Sequence, residues 1–317
     1  MSFSSEVKNN LTRIKSTARE EKISEVSGML RSGGAIKINS KAHASFVFTS
    51  ENLAVISRFR QFLKTVFLSE SEVSTKTVGN LNKVFYVCKL KNEKRSVFIL
   101  ERCGILKFDG NYFVLQNDIP DDIKNSAKNS KAYIRGLFLG AGSISDPKKS
   151  YHMEFILHDA EFCNQFKNFL NQFDIKCRVL KRRNKYIVYI KESDGISDIL
   201  TLMGDFTSSL LIESVKVNKQ VRNRINRIVN CENANIGRVV DSATRQIEAI
   251  KYIQDTVGLD DLTEELKLTA ILRLKNNIAT LKELGEMFNP PIGKSAVSHR
   301  LKKLEIIADN IKKEKNI

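Results

Sequence analysis

The side chains best suited to chemistry lie near the C-terminus, in T-L-K-E-L-G-E-M-F-N-P-P-I-G-K-S-A-V-S-H-R-L-K-K-L, Thr280 to Leu304. Lys294, Ser298, His299, Arg300, Lys302 and Lys303 occupy the outward positions of a helical pattern whose inward positions are Val297, Leu301 and Leu304. Ser295 is placed to cap that helix and stands among them. Hydroxyl, imidazole and cationic groups in such an array suit recognition rather than bond breaking: early polar residues of a helix reach base edges, and cations hold phosphate oxygens. A second basic group, Lys181, Arg182, Arg183 and Lys185, joins two alternating strands. Two readings of it stand side by side, a set of phosphate contacts or a solvated basic turn.

Other chemistries find little support. The five cysteines, Cys88, Cys103, Cys163, Cys177 and Cys231, are scattered, form no C-x-x-C pair and do not cluster with the four histidines. This argues against a zinc site and a disulfide framework and for buried thiols in a reducing compartment. G-A-G-S at Gly140 to Ser143 is only a partial echo of a phosphate loop, so no nucleotide cofactor and no metal are expected. The net charge of +16 on 317 residues favours an anionic partner, most often nucleic acid. A solvated surface from a lysine-rich, AT-rich genome would give the same balance. The N-terminus has no apolar signal core, and no apolar run reaches membrane-spanning length. The expected place is the cytoplasm, near DNA and associated with the nucleoid.

The elements that must position these residues read as follows. Ser2 to Arg19 predicts a short basic helix. Glu20 to Ser32 predicts a second helix, followed by Gly33-Gly34 and a strand at Ala35 to Asn39. His43 to Thr49 is rich in β formers, and an amphipathic helix with Leu53, Ile56, Phe59, Leu63 and Val66 follows, with Ser50 as N-cap. Glu72 to Val78 and Val84 to Leu90 predict a hairpin around Gly79-Asn80. Ser96 to Arg102 predicts a short helix, and Lys107 to Leu115 a strand pair around Asp109-Gly110. From Asp121 the order repeats: a helix ending in Y-I-R-G-L-F-L-G-A-G-S-I, a strand near Ser143, and a strand over Tyr151 to Leu157. Next come a helix capped by His158-Asp159, a hairpin of Lys176 to Lys181 with Tyr186 to Lys191, and a helix over Ser193 to Met203. Gly136 and Gly140 stack on one side of their helix, where glycine lowers stability and so calls for close packing. Gly28 and Ser32 repeat that spacing in V-S-G-M-L-R-S-G-G-A-I, Val26 to Ile36, about 108 residues earlier. Similarity at that distance implies duplication.

From Glu213 the pattern is all helix: a basic stretch from Ser214 to Ile228, a break at C-E-N-A-N (Cys231 to Asn235), and a helix over about 234–256. A third helix starts at Thr263, with Glu264 and Glu265 in the first turn. Thr280 with Glu283 then makes a capping box, Asn289-Pro290-Pro291-Ile292-Gly293 ends the short helix, and the basic helix follows. A short helix, a turn and a basic polar helix make a helix-turn-helix.

The paired glycine helices resemble the LAGLIDADG signature of homing endonucleases. That resemblance implies two such helices packed at the centre of a pseudo-symmetric domain, each ending in an acid that holds a divalent metal over DNA, with two sheets forming a saddle on the duplex. Alignment puts Gly33 and Ala141 where the acids would stand, so the scaffold carries over and the metal chemistry does not. Glu25, Asp146 and Glu154 are the acids nearest in sequence. The whole chain, on Y-I-R-G-L-F-L-G-A-G-S-I, on N-R-I-N-R-I-V-N-C-E-N-A-N at Asn223 to Asn235 and on the Leu281 to Leu304 motif, resembles the WhiA family of bacterial transcription regulators. The implied fold class is α+β, a duplicated pseudo-symmetric LAGLIDADG homing-endonuclease-like domain followed by an all-α helix-turn-helix domain. The expected boundaries are 1–120 and 121–206 for the two halves and 207–317 for the helical domain, with the helix-turn-helix at 280–304. The implied function is sequence-specific binding of double-stranded DNA in sporulation, cell division or chromosome segregation, without catalysis. An architectural DNA-coating role and a divergent metal-dependent endonuclease are the alternatives. Another transcription regulator or RNA polymerase remains open as a partner, as does the oligomeric state.

Overall fold

The chain begins with α1 (Phe3–Thr12), where the Ser2 hydroxyl accepts from the Ser5 N–H at 3.3 Å. The first half then runs α2 (Arg19–Gly33), β1 (Gly34–Ser40), β2 (His43–Ser50), α3 (Leu53–Phe67), β3 (Ser71–Val78), β4 (Lys83–Leu90) and α4 (Ser96–Arg102). A small hairpin, β5 (Leu106–Phe108) and β6 (Phe113–Leu115), and a single turn, α5 (Asp121–Lys124), lead to the second half. That half is α6 (Ala127–Ala141), β7 (Gly142–Ile144), β8 (Met153–Leu157), α7 (Ala160–Asn171), β9 (Arg178–Arg182), β10 (Lys185–Ile190) and α8 (Ser193–Met203). The helical region holds α9 (Phe206–Thr256), α10 (Glu264–Lys275), α11 (Leu281–Glu286) and α12 (Lys294–Lys315). This computed structural model describes residues 2–40, 43–78 and 83–315. The chain divides into two compact units, Met1–Lys219 and Gln220–Ile317.

The duplication is visible in the strand order. The two four-stranded sheets run β1-β2-β4-β3 and β7-β8-β10-β9, the same antiparallel order built from corresponding strands. Alternate strand residues are buried, as Ala44, Phe46 and Phe48 are in β2 and Met153, Phe155 and Leu157 in β8. Each sheet therefore puts one face on the core and leaves the other uncovered by the helices. The core of this unit joins both halves, from Val7 and Leu11 through Phe48, Phe59 and Phe138 to Leu200.

Helices α2 and α6 pack backbone to backbone at its centre. A Cβ on Gly28 would fall against the Tyr133 carbonyl and 2.7 Å from the Leu137 nitrogen, and one on Gly136 would strike the Glu25 carbonyl. The reciprocal close approach explains why both helices accept the helix-weakening glycine. Beside it lies a buried ion cluster. The Glu25 carboxylate, fully enclosed, accepts from Arg58 (Nε, and Nη2 at 2.8 Å) and from Arg135 Nε at 2.9 Å. Arg58 also donates to the Thr12 and Ile14 carbonyls, and Arg135 to Met203 O, so the two guanidiniums are satisfied and the halves are tied together.

Several expectations need correction. The cap of α3 is Asn52, whose Oδ1 accepts from Ala54 and Val55, while Ser50 Oγ accepts from the Asn52 N–H. C-E-N-A-N breaks nothing: α9 is one helix of 51 residues. It lacks proline throughout, and asparagine lowers helix propensity too little to stop it. Ser295 lies inside the first turn of α12, which starts at Lys294. Arg182 and Lys185 pair as the last and first residues of their strands, leaving Arg183-Asn184 as the turn. The expected Gly79-Asn80 turn lies outside the described residues. Among the described residues, no helix is long and apolar enough to cross a membrane.

Candidate nucleic-acid interface

The helix-turn-helix is built on its own core. Ile250 and Ile253 of α9, Leu266 and Ala270 of α10, Leu284 and Phe288 at α11, and Val297, Leu301, Leu304 and Ala308 of α12 are buried together. The Thr280 hydroxyl accepts from Glu283 N–H while the Glu283 carboxylate accepts from Thr280 N–H at 2.7 Å, a complete capping box. Those bonds hold the Glu283 carboxyl below the usual glutamate range. A Cβ on Gly285 would strike the Ile292 carbonyl, so only glycine lets the turn fold back between the helices.

With Val297, Leu301 and Leu304 inward, Lys294, Ser295, Ser298, His299, Lys302 and Lys303 are exposed on the remaining surface of α12. None of these six makes a side-chain ion pair or hydrogen bond within the described residues. Arg300 departs from the expected outward set. Its guanidinium sits 3.2 Å from Glu265 of α10 and 5.5 Å from the Phe288 ring centroid, and its side chain is only 20% exposed. It packs α12 against α10, and its position three before Lys303 concealed this because α10 is remote in sequence.

In the other unit, register decides which cations share a face. Antiparallel partners point to the same side of a sheet. Arg182 pairs Lys185, and Leu180 pairs Ile187, which pairs Ile156; Arg178 pairs Tyr189, which pairs Glu154. Arg178, Arg182 and Lys185 therefore stand on the helix-free face of the second sheet. Lys181 points the other way, with its ammonium 5.6 Å from the Tyr186 ring. Arg183 occupies the turn in the left-handed region, φ 55°. By the same parity the first sheet presents Lys37, Lys76, Lys83 and Lys89 on its helix-free face, with Glu72 beside Lys89. Sequence reading missed these four lysines and Arg178. Alternation marks them as outward, but only the pairing register assembles them.

Gly33 and Ala141 occupy equivalent places, each the last residue of its signature helix before an extended glycine, Gly34 or Gly142. Neither offers a metal ligand. The three acids weighed as substitutes are each engaged elsewhere. Glu25 is locked in the buried cluster. Asp146 Oδ1 accepts from Lys148 N–H at 2.9 Å in a turn. Glu154 accepts from Ser143 Oγ at 3.1 Å and lies 3.3 Å from His152 Nε2. Among the described residues, no three His, Cys, Asp or Glu side chains are grouped to hold a metal. A cavity of about 530 Å³ opens beside Gly140 to Ser143, lined by Lys8, Glu51 and the hydroxyls of Ser2, Ser4, Ser5 and Ser50. Burial pushes the Lys8 ammonium down to about 8, only partly opposed by Glu51.

The buried cysteines are inert. Burial pushes the Cys163 thiol up to about 12 and Cys177 to about 11, far from a reactive thiolate.

Comparison with known proteins agrees with this architecture over the full length. Residues 19–106 match the model of the WhiA N-terminal LAGLIDADG-like domain, 130–222 the WhiA LAGLIDADG-like domain, and 225–308 the WhiA C-terminal HTH domain. The chain is 40% identical over 316 residues to a "Probable cell division protein WhiA" of Thermoanaerobacter pseudethanolicus, covering 99% of both. It is 39% identical to the protein of that name from Clostridium botulinum, covering 98% of this chain and 99% of the other. Among solved structures, full-length DUF199/WhiA from Thermatoga maritima superposes with a TM-score of 0.61 at 27% identity, covering 98% of this chain and 99% of that one. The α+β class, with a duplicated LAGLIDADG-like region followed by a helical one, is thus the family's.

Proposed function

The chain belongs to the WhiA family, and we propose that it is a non-enzymatic regulator that reads double-stranded DNA through α12. The observation that carries this reading is the two-sided character of α12. Val297, Leu301 and Leu304 fix one side on a helix-turn-helix core, while Lys294, Ser295, Ser298, His299, Lys302 and Lys303 stand exposed and unpaired on the rest. Such a helix fits the major groove, with lysines neutralising phosphate and the short polar residues near its start meeting base edges. The helix-free sheet faces add backbone contacts through Lys37, Lys76, Lys83, Lys89, Arg178, Arg182 and Lys185, with Arg183 at the hairpin tip. Glycine and alanine at the two helix ends leave no carboxylate to hold an ion against an attacking water, which favours binding without cleavage. The names of the relatives favour a role in cell division. Sporulation control and chromosome segregation are the further roles the family implies, all exercised on cytoplasmic, nucleoid DNA, with RNA polymerase or a second regulator as protein partner.

The test is fluorescence anisotropy on duplex DNA over a salt series. Replacing Lys294, Lys302 and Lys303 one at a time by Gln should weaken binding, and each lost phosphate contact should flatten the log–log salt slope by about 0.9. Unchanged affinity and slope in all three would remove α12 from the interface.

A further inference from the structure

The helix-turn-helix unit contains a cavity at the edge of its core, with Val239 and Leu281 in its wall. It measures about 440 Å³ and lies where the starts of α11 and α12 meet α9 and the end of α10. Four cations line it, Arg238, Arg273, Lys282 and Lys294, together with the hydroxyls of Ser242 and Thr280, and no carboxylate belongs to the lining. Of the nearby acids, Glu283 is spent on the Thr280 N–H, and Glu286 forms a loose, exposed pair with Lys282 at 3.9 Å.

Arg273 is the unusual member. It is 2% exposed, among the largest fully enclosed side chains of the molecule, yet it has no acidic partner. Both of its hydrogen bonds leave from Nη1, to Ala279 O at 2.7 Å and Asn276 O at 3.5 Å. Nε is sequestered without an acceptor, and Nη2 donates to no described residue. Burial without a counter-charge lowers its affinity for its proton. A buried guanidinium is ordinarily paired, because leaving its donors unmet is costly. Here Nη2 keeps its donors for an anion in the cavity, while Nε lies closed off behind it.

We propose that this cavity is a phosphate-binding site, with Arg273 Nη2 as its buried donor and Arg238, Lys282 and Lys294 as the surrounding charge. Its volume accommodates a small phosphorylated molecule. Because Lys294 opens α12, a backbone phosphate of bound DNA is the other source, and that source alone rests on the function proposed above. Ser242 and Thr280 supply rotatable hydroxyl donors for the remaining oxygens.

The experiment uses the full chain and inorganic pyrophosphate, titrated calorimetrically against sodium chloride of matched ionic strength. Two variants accompany the wild type. Arg273→Lys keeps the charge and removes the guanidinium; Ser242→Asp puts a carboxylate into the cavity and leaves every cation in place. Wild type should bind at one site, and each variant should lose at least about tenfold in affinity. Should Arg273→Lys melt early, Ser242→Asp decides the matter alone. The same proteins are then titrated with duplex DNA. If pyrophosphate competes with DNA and Ser242→Asp flattens the salt slope, the site holds a backbone phosphate; if DNA binding is untouched, it holds a free one. Absence of DNA binding in the wild type would defeat the regulator reading while leaving the pyrophosphate result intact. Wild type binding no pyrophosphate beyond the chloride control, with an unaltered DNA salt slope in both variants, overturns the site.

Discussion

Arg183 shows what a single residue reveals when its backbone is read with its charge. It holds φ 55° in a two-residue turn, a conformation that costs a non-glycine side chain about 1 kcal/mol and that glycine adopts freely. Arg183→Gly should therefore raise the denaturant midpoint slightly while weakening DNA binding, an opposed pair of shifts. A gain in stability with unchanged affinity would mark the residue as a solvated turn. Lys8 gives a pH signature. Its folded pKa, near 8, is below the unfolded lysine value of 10.5, so the folded state binds fewer protons between them. The cost of holding its charge is present below about pH 8 and is relieved as pH rises toward 10.5. Stability measured at pH 7.5 and pH 10 should rise for wild type relative to Lys8→Met, and parallel profiles would refute the shift. At this scale the sequence was only partly legible. The exposed cations of α12 could be named from spacing alone. The engagement of Arg300 with Glu265, the opposite facing of Lys181 and the enclosure of Arg273 depend on neighbours far along the chain.

Among elements, the α2–α6 pair is the clearest case of sequence announcing structure. Glycines four apart on a buried helix need a reason, and the reason is another backbone in contact. Gly136→Val should accordingly destabilise the first unit by about 3 kcal/mol or more, since the added carbons meet the Glu25 carbonyl on the facing helix backbone. Urea unfolding of the full chain checks this, and a change under about 0.5 kcal/mol would contradict the packing. The ββ hairpins were legible for the same reason, alternation with turn residues between. Helix α9 runs through C-E-N-A-N because polar residues alone do not break a helix. Neither proline nor a positive-φ glycine interrupts it between Phe206 and Thr256, and Gly258, with φ 84°, is the first left-handed glycine after it. Caps were readable where the side chain sits one place before the helix, as at Asp159 and Thr280. At α3 the cap is Asn52, two places beyond the expected Ser50, because Ser50 still ends the preceding strand.

For the whole molecule, the duplicated α+β unit and the helical unit answer different questions. The first has the paired-helix frame of a LAGLIDADG-like domain, its two central helices ending in Gly33 and Ala141, and the second carries a polar helix on a dedicated core. Fold class and family were legible because the glycine spacing and the capped helix-turn-helix motif each impose a backbone geometry. The cationic sheet faces were not, because no residue in a strand states its cross-strand partner. The function proposed for this chain is recognition of DNA without cleavage. The most direct test is selection of bound fragments from a random duplex pool in the presence of magnesium, with both ends of each recovered fragment sequenced. An enriched internal motif with intact ends is expected, lost when Lys302 and Lys303 are both replaced by Gln. Defined new ends within the recovered duplexes, or retention with no motif at all, would contradict it.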